Sequence, residues 1–464
     1  SKSITNQLKE VFQNAFVKVF GEDYKNFDPI LKPSQRSQFG DFQANFAMSL
    51  AKSLKKNPRE LADSIKNILE IISKYEKDTL VIVVSAMGKT TNALEKVVDS
   101  YFNDKAQLQS SISDVFNFHI NILNNLFEKN HFIFSELNTS FEKLGSFIKS
   151  NKSPSYSFVY DQVVSLGELI SSKIIYEYLQ KNNIDCSLID ARNCIKTNSK
   201  YRGGKVQWDM TNKKIKELIS DSKINITQGF IGSDSNNFTV TLGREGSDYS
   251  AAIFAYSLNA ESLSIWKDVP GLLNADPKFF SNTKLLNQIS YSETIELAFY
   301  GASIIHPKTL QPLQKKEIPL FVKSFKNPLS NGTVISKGVD INPLVPCYIF
   351  KENLILLKIS SLDFSFMVED NISHIFKQLH DFKMKVDVIQ NSAITFSVCF
   401  FDKYNKINEL ISNLEGKFKI QIHKNVSLFT IRHFDEKSIK KISNKRKLLL
   451  EQRTEKTVKL IFSN

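Results

Sequence analysis

The chain has 464 residues, more than one core organises, so several domains are expected. An apolar content of 42% with 23% charged residues excludes wholesale disorder. The net charge of +13 raises nucleic acid as a partner, yet only 8 of the 61 basic residues are Arg, and a uniform Lys excess reads as compositional drift rather than a built phosphate-binding face.

Nothing in the sequence approaches the ~18 consecutive apolar residues of a membrane span. The start is polar, without the apolar core of a signal peptide. Cys186, Cys194, Cys347 and Cys399 show no C-x-x-C spacing, which argues against a disulfide scaffold or a zinc ribbon. A cytoplasmic protein with reduced thiols and no membrane association is expected.

Residues 1–75 read as helical. Leu8, Val11, Phe12, Phe16 and Val19 recur at helical spacing, a turn-rich stretch covers 28–37, and Ala44 to Leu54 and Leu61 to Ile72 mark two further helices. From 78 to 330 strands and helices alternate. Strand-like runs fall at 79–85, 185–189, 224–231, 238–242, 262–266 and 319–322. Helical patterns fill much of 92–150, and Val163, Leu166, Leu169, Ile170, Ile174 and Tyr178 trace one helix. Such alternation predicts a largely parallel sheet with helices on its faces. The Pro-, Gly-, Ser- and Asn-bearing stretch 327–345 suits a linker. Beyond it, strands at 354–359, 386–389, 395–400 and 427–431, with helices at 371–382 and 406–414, give the β-α-β-β-α-β order of a ferredoxin-like unit. A basic tail, 438–459, looks like a shortened second such unit, and by itself reads as a solvated helix face or an RNA-binding tail.

Three segments carry chemistry. Residues 84–92 (VSAMGKTTN) follow a strand and open a helix, where backbone amides attract anions. The Gly-Lys-Thr there is not a Walker A loop, because that motif needs a glycine where Val83 stands. Residues 241–249 (TLGREGSDY) lead into an apolar helix. Their glycines let the backbone approach a ligand, Arg244 can clamp a carboxylate or phosphate with two parallel hydrogen bonds, and Ser247 or Asp248 can cap the helix. Residues 266–271 (WKDVPG), ending at Asp276-Pro277-Lys278, place an Asp past a strand end beside two Lys, which suits a nucleotide and its metal. Taken singly, each is also compatible with an ordinary capped helix or β-turn.

Together with Val164-Ser165-Leu166-Gly167-Glu168, Thr227–Gly232 (TQGFIG) and Gly301–Pro307 (GASIIHP), these stretches resemble the catalytic domain of aspartate kinases, members of the amino acid kinase family. The resemblance runs over roughly 72–464, since 345–464 looks like that family's C-terminal ACT regulatory region. It implies an α/β three-layer sandwich with a mainly parallel sheet, a ferredoxin-like ACT region, and a helical module in front. The implied domains are 1–72, 73–330 and 340–464. It also implies ATP-dependent phosphorylation of the L-aspartate side-chain carboxylate in lysine, threonine and methionine biosynthesis. Arg244 would clamp a carboxylate of aspartate and Glu168 its ammonium group, with Ser85, Thr91, Ser247 and Asp248 completing the pocket. Lys267, Asp268 and Lys278 would line the ATP site, with Mg²⁺ bridging phosphates and no protein residue assigned as a metal ligand. In the ACT region Asp387 and Ser392 would contact an amino-acid effector, and ACT pairing implies a homodimer. Leu273 and Ser303 depart from the residues many members carry, an aromatic near the base and a Lys reaching the phosphates. The loop 366–371 lacks the glycine usual there.

The strand and Lys-Phe-Gly-Gly-Thr-Ser loop with which such kinases begin do not occur. Gln38-Phe39-Gly40-Asp41 is the nearest string. Residues 1–70, with Lys32-Pro33-Ser34, Gln38 to Asn45 and Asn57-Pro58-Arg59-Glu60-Leu61-Ala62, instead resemble the N-terminal additional domain of arginyl-tRNA synthetase. That resemblance implies a tRNA contact, while the missing His-Ile-Gly-His and Lys-Met-Ser-Lys-Ser exclude aminoacylation. The chain reads as a chimera. Loss of a charge-stabilising Lys predicts a rate reduced on the order of 10²–10³ or more, hence poor or absent turnover. The alternative expectation is a non-catalytic, amino-acid-binding protein with a tRNA-contacting module.

Overall fold

A computed structural model describes residues 31–33, 42–44, 58–75, 78–219, 224–302, 305–363, 365–444 and 446–463. At the front, strands β1 (Leu31–Pro33) and β2 (Phe42–Ala44) pair antiparallel, and helix α1 (Pro58–Ser73) follows. The all-helical expectation for 1–75 is thus corrected by a small strand pair. Strands of three residues are too short for alternation to reveal them. The helix expected over 8–19 lies outside the described residues, as does the one expected over 44–54 apart from Ala44, which ends β2.

The chain divides into two compact units. The first takes in 1–76, 86–156 and 173–184. Here α1 and α2 (Thr90–Asn103) both pack on α3 (Lys105–Leu126), and α4 (Ile133–Ser150) joins them. Leu94, Val97 and Val98 of α2, and Val115, Ile122, Leu123 and Leu126 of α3, are buried at helical spacing. Asp104 caps α3 by accepting from the Gln107 N–H at 3.4 Å. Burial pushes the His119 imidazole down to about 4, so it is neutral at pH 7, with Nδ1 2.8 Å from the Val115 carbonyl.

The second unit holds 77–85, 157–172 and 185–464. Its elements begin with β3 (Leu80–Val84), α5 (Tyr156–Val164), the first half of α6 (Leu166–Lys181), β4 (Ser187–Ile189), α7 (Ala191–Cys194), α8 (Trp208–Leu218) and β5 (Ile224–Gln228). Strands β3 and β4 flank β5, both parallel to it, and every residue of β5 is buried. The hairpin β6 (Ile231–Ser233) and β7 (Thr239–Thr241) leads to α9 (Gly246–Leu258). A four-stranded mixed sheet follows. It is built from β8 (Leu263–Lys267), β9 (Gln288–Ser290), β10 (Leu320–Ser324) and β11 (Thr333–Ser336), in the order β8-β10-β11-β9. Strand pairs β8/β10 and β9/β11 are parallel, β10/β11 antiparallel. Helices α10 (Tyr291–Tyr300) and α11 (Pro307–Lys316) lie between β9 and β10 in the chain.

Three details differ from the sequence reading. The run 224–231 breaks at Gly229-Phe230, where Phe230 takes φ +68°, into β5 and β6. The single helix expected over 163–178 is two, interrupted at Ser165, whose hydroxyl donates to the Gln162 carbonyl at 3.1 Å. The stretch 327–345 is no linker: its Thr-Val-Ile run forms β11 with Ile335 fully buried, and the Pro, Gly and Ser residues before it only make the turn.

Residues 347–463 form one antiparallel sheet with helices. The strands are β12 (Cys347–Ser361), β13 (Val386–Asn391), β14 (Thr395–Phe400), β15 (Phe418–Arg432), β16 (Lys447–Arg453) and β17 (Thr457–Ser463), ordered β13-β14-β12-β15-β17-β16. Helices α12 (Glu369–Asp381) and α13 (Ile407–Leu414) cover one face, burying Ile375, Leu379, Leu410 and Leu414 against Leu357, Ile359, Phe396 and Val398. The β-α-β-β-α-β order is as expected. The basic tail is not a solvated face. It supplies α14 (Glu436–Ser443), started by an Asp435/Ser438 capping box, and two strands of the same sheet, with Val458, Leu460, Ile461 and Phe462 buried.

Candidate anion site at the sheet edge

The site grows from the carboxyl ends of β3 and β5. The Gly229 N–H donates to the Val84 carbonyl at 2.8 Å, and exposed Ser85 lies one residue further on. The start of α9 approaches this edge closely. A Cβ on Gly229 would lie 2.6 Å from the Ser247 Cβ, and one on Gly246 would lie 2.5 Å from the Phe230 ring. The Phe230 N–H donates to the Ser250 hydroxyl at 2.9 Å, and the Leu242 N–H to the Phe230 carbonyl at 2.8 Å, so the two loops are locked together. Because the atom facing Gly229 includes Ser247 backbone, Gly229→Ala is expected to destabilise by about 1–3 kcal/mol through overpacking, measured by urea unfolding. A variant as stable as the parent would refute this close approach.

The loop between β7 and α9 holds the arginine. Gly243 takes φ +82°, Arg244 is exposed, and Glu245 takes φ +51°, an unusual value for a residue with a side chain. Burial pushes the Glu245 carboxyl up, while Lys267 and a backbone hydrogen bond from His306 oppose it. Lys308 braces the same loop: its ammonium donates to the Leu242 carbonyl at 3.0 Å and sits 4.5 Å from the Tyr249 ring centroid. Sequence reasoning missed Glu245 and Lys308. The backbone angle and the fold that reveal them are not written in the local pattern.

On the neighbouring sheet Lys267 ends β8. Its ammonium pairs with the Asp248 carboxylate at 2.9 Å, and its carbonyl accepts from the Phe325 N–H at 3.0 Å. This pair brings together a residue expected at the substrate and one expected at the nucleotide. Asp268 follows, exposed, ahead of Gly271, which takes φ +148° and where a Cβ would strike the Thr333 hydroxyl at 2.5 Å. Lys278 is exposed, its N–H donating to Asp276 Oδ1 at 2.9 Å. Glu168 is buried in the first turn of α6. Thr91 is the second residue of α2 and belongs to the other compact unit. Leu273 bridges to Leu285, and Ser303 lies outside the described residues.

In the C-terminal sheet the Asp387 carboxylate is held by the Lys351 ammonium at 2.6 Å, and the Lys459 ammonium donates to the Asp387 carbonyl at 3.1 Å. Ser392 is exposed in the turn between β13 and β14, its N–H and hydroxyl both directed at the Thr395 carbonyl. Among the described residues no group of three or more His, Cys, Asp or Glu is placed to hold a metal ion, and no helix is long and apolar enough to cross a membrane.

Parallel strands ending at glycine turns, with an arginine loop and a Lys–Asp pair at their carboxyl edge, define an α/β protein with its candidate site at that edge. The amino acid kinase family model matches residues 50–324, more than half of the chain, and the chain belongs to that family. Residues 4–80 match a second model, the arginyl tRNA synthetase N terminal domain. Lysine-sensitive aspartokinase 3 of Escherichia coli (strain K12) is 34% identical over 247 residues, 51% of this chain and 54% of that protein. The chloroplastic bifunctional aspartokinase/homoserine dehydrogenase 1 of Arabidopsis thaliana is 27% identical over 378 residues, 77% of this chain and 41% of that one. The chain therefore spans about half the length, or less, of these curated relatives. The crystal structure of E. coli aspartokinase III in complex with lysine and aspartate shares the fold, with a TM-score of 0.70 at 24% identity, covering 86% of this chain and 92% of that one.

Proposed function

We propose that the chain is an aspartate kinase-type phosphotransferase that converts L-aspartate and ATP to 4-phospho-L-aspartate and ADP, at a slow rate. A side-chain carboxylate oxygen of aspartate attacks the γ-phosphorus while the bond to the β,γ-bridging oxygen breaks and its electron pair leaves with ADP. The carboxylate is already a nucleophile, so catalysis reduces to holding two anions in line and offsetting their charge. Arg244 clamps a carboxylate of aspartate and Glu168 takes its ammonium, with Ser85, Ser247 and Asp248 around them. Lys267, Asp268 and Lys278 serve the nucleotide. Mg²⁺ on the phosphates supplies further charge neutralisation. The donor set fits it, because Mg²⁺ is typically bound through one or two carboxylates plus phosphates rather than a protein cage, and Asp268 is an exposed carboxylate at the strand end.

The observation that best supports this reading is the 2.9 Å pair between Lys267 and Asp248, which ties the arginine loop to the nucleotide strand. The reading includes a cytoplasmic homodimer formed through the C-terminal region and an amino-acid effector bound there near Asp387 and Ser392. Trapping the acyl phosphate with hydroxylamine tests the activity. Hydroxamate dependent on both ATP and aspartate, and above a protein-free blank, is expected. None above the blank refutes it.

A second reading is favoured by the match over residues 4–80: a tRNA contact through 1–70 in a protein that binds amino acids without turnover. It predicts tRNA retention that falls steeply with salt and disappears when 1–70 are removed. Retention unchanged by that deletion would sink it.

A further inference from the structure

Asp161 has no place in the roles given above, yet it is a fully buried carboxylate in the middle of the site's framework. It sits near the end of α5, and four donated contacts converge on it. The Thr241 N–H donates at 2.9 Å and the Thr241 hydroxyl at 2.7 Å, while the Arg202 N–H is shared between the two oxygens at 3.0 and 3.2 Å. Its neighbour Gln162 repeats the pattern two residues back along β7, donating to the Thr239 carbonyl at 2.8 Å and accepting from the Thr239 N–H at 3.2 Å. On its other edge β7 pairs with β6. Two consecutive helix side chains thus occupy the open edge of β7 as a further strand would, and satisfy backbone groups that burial would otherwise leave unpaired.

What this lacing joins matters. Thr241 is the last residue of β7, three before Arg244. Four residues after Gln162, across the Ser165 break, α6 begins, with Glu168 in its first turn. The third attachment is the loop before α8. Arg202 takes φ +64°, its guanidinium lies 4.3 Å from the Tyr160 ring centroid, and the Gly204 N–H donates to the Thr241 carbonyl at 3.0 Å. The Arg202 carbonyl lies 3.5 Å from where a Cβ on Gly243 would stand. A buried carboxylate is costly unless its acceptors are filled, so its place here is explained by what it holds.

We propose that Asp161 is a positioning residue that fixes the Arg244 loop and the Glu168 helix start against each other, so that one L-aspartate can be gripped at both its carboxylate and its ammonium. This rests on the reading of Arg244 and Glu168 given above. Asp161→Ala strands three donors, while Asp161→Asn keeps the shape. In the amide, the oxygen faces the two backbone N–H groups and the Thr241 hydroxyl turns to accept, so it is the conservative rescue.

The test uses the full-length chain in three forms: parent, Asp161→Ala and Asp161→Asn. Amide hydrogen exchange is read at 241–246, and KM for aspartate and for ATP are measured separately. For Asp161→Ala, faster exchange at 241–246 and a loss of about 10²-fold in kcat/KM for aspartate are expected, with KM for ATP held within about twofold. Asp161→Asn should recover most of both. Unchanged exchange in Asp161→Ala overturns the proposal, as does a parallel rise of both KM values. If the parent shows no turnover, the kinase reading fails on its own, and calorimetric binding of L-aspartate to the three forms replaces KM. Weaker binding by Asp161→Ala, recovered in Asp161→Asn, then supports positioning. Binding that is absent or equal in all three overturns it.

Discussion

Replacing Arg432 by Met is expected to destabilise the protein by about 3 kcal/mol, the cost of leaving a largely buried carboxylate without its guanidinium partner. Arg432 ends β15 and is buried. Its Nε and Nη2 donate to the two oxygens of Glu293 on α10 at 2.5 and 2.7 Å, and its Nη1 donates to the Thr457 hydroxyl at 3.0 Å. Glu296 at 3.4 Å and His433 Nε2 at 2.9 Å from Glu293 complete the cluster. Urea unfolding measures the loss. The double variant Arg432→Met with Glu293→Met removes both charges, and should recover most of the stability. A single variant as stable as the parent would show the pair to be idle. The pH dependence has a definite sign. Burial pushes the Glu293 carboxyl up, but hydrogen bonds from His433 and Arg432 more than reverse this and hold it at about 2, against an ordinary 4.5. A lowered folded-state value stabilises above about pH 4.5, and the contribution is lost as pH falls from there towards 2. In Arg432→Met that acid-side loss should flatten.

Helix α10 makes further contacts with the C-terminal sheet. Glu293, Glu296 and Tyr300 recur at helical spacing and face the C-terminal sheet, and Gly301 caps the helix end. The Lys459 ammonium lies 5.1 Å from the Tyr300 ring centroid, and a Cβ on Gly301 would meet Lys351 Cε at 2.8 Å. Beyond α10 the chain reaches His306 and Lys308, which hold Glu245 and the Leu242 carbonyl.

What the sequence made legible follows from period and side-chain type. Apolar β-branched runs announced β3 and β14, and Gly, Arg, Ser and Asp crowded together announced the 243–248 loop, because these patterns are local. What escaped depends on tertiary context. Strand β11 hid behind Pro and Gly residues, since four residues cannot outvote a turn-rich stretch until a neighbouring strand claims them. The break at Ser165 was invisible because α5 and α6 keep nearly one helical phase across it. The resemblance offers Asp387 to an effector, and the Lys351 ammonium that the fold sets against it carries no signal in the sequence, 36 residues away. Asp161 carries no motif at all. Its meaning is the edge of β7, 80 residues away along the chain.

The second large effect is expected at Arg244. Arg244→Ala should lower kcat/KM for aspartate by on the order of 10²–10³ while leaving stability unchanged, because the side chain is exposed and packs against no core. The more informative variant is Arg244→Lys. A lysine keeps the charge but presents a compact ammonium in place of the planar fork that meets both oxygens of a carboxylate. If the residue acts through bidentate recognition, the lysine variant should fall within about tenfold of alanine, and KM for ATP should stay near the parent value in both. A lysine variant close to the parent would mean that the loop offers only positive potential. A matching rise in KM for ATP would move Arg244 to the phosphate side of the site. The glycine at 243 and the strained Glu245 hold this loop in one shape, so the three outcomes differ by where the guanidinium is aimed and not by whether the loop is formed.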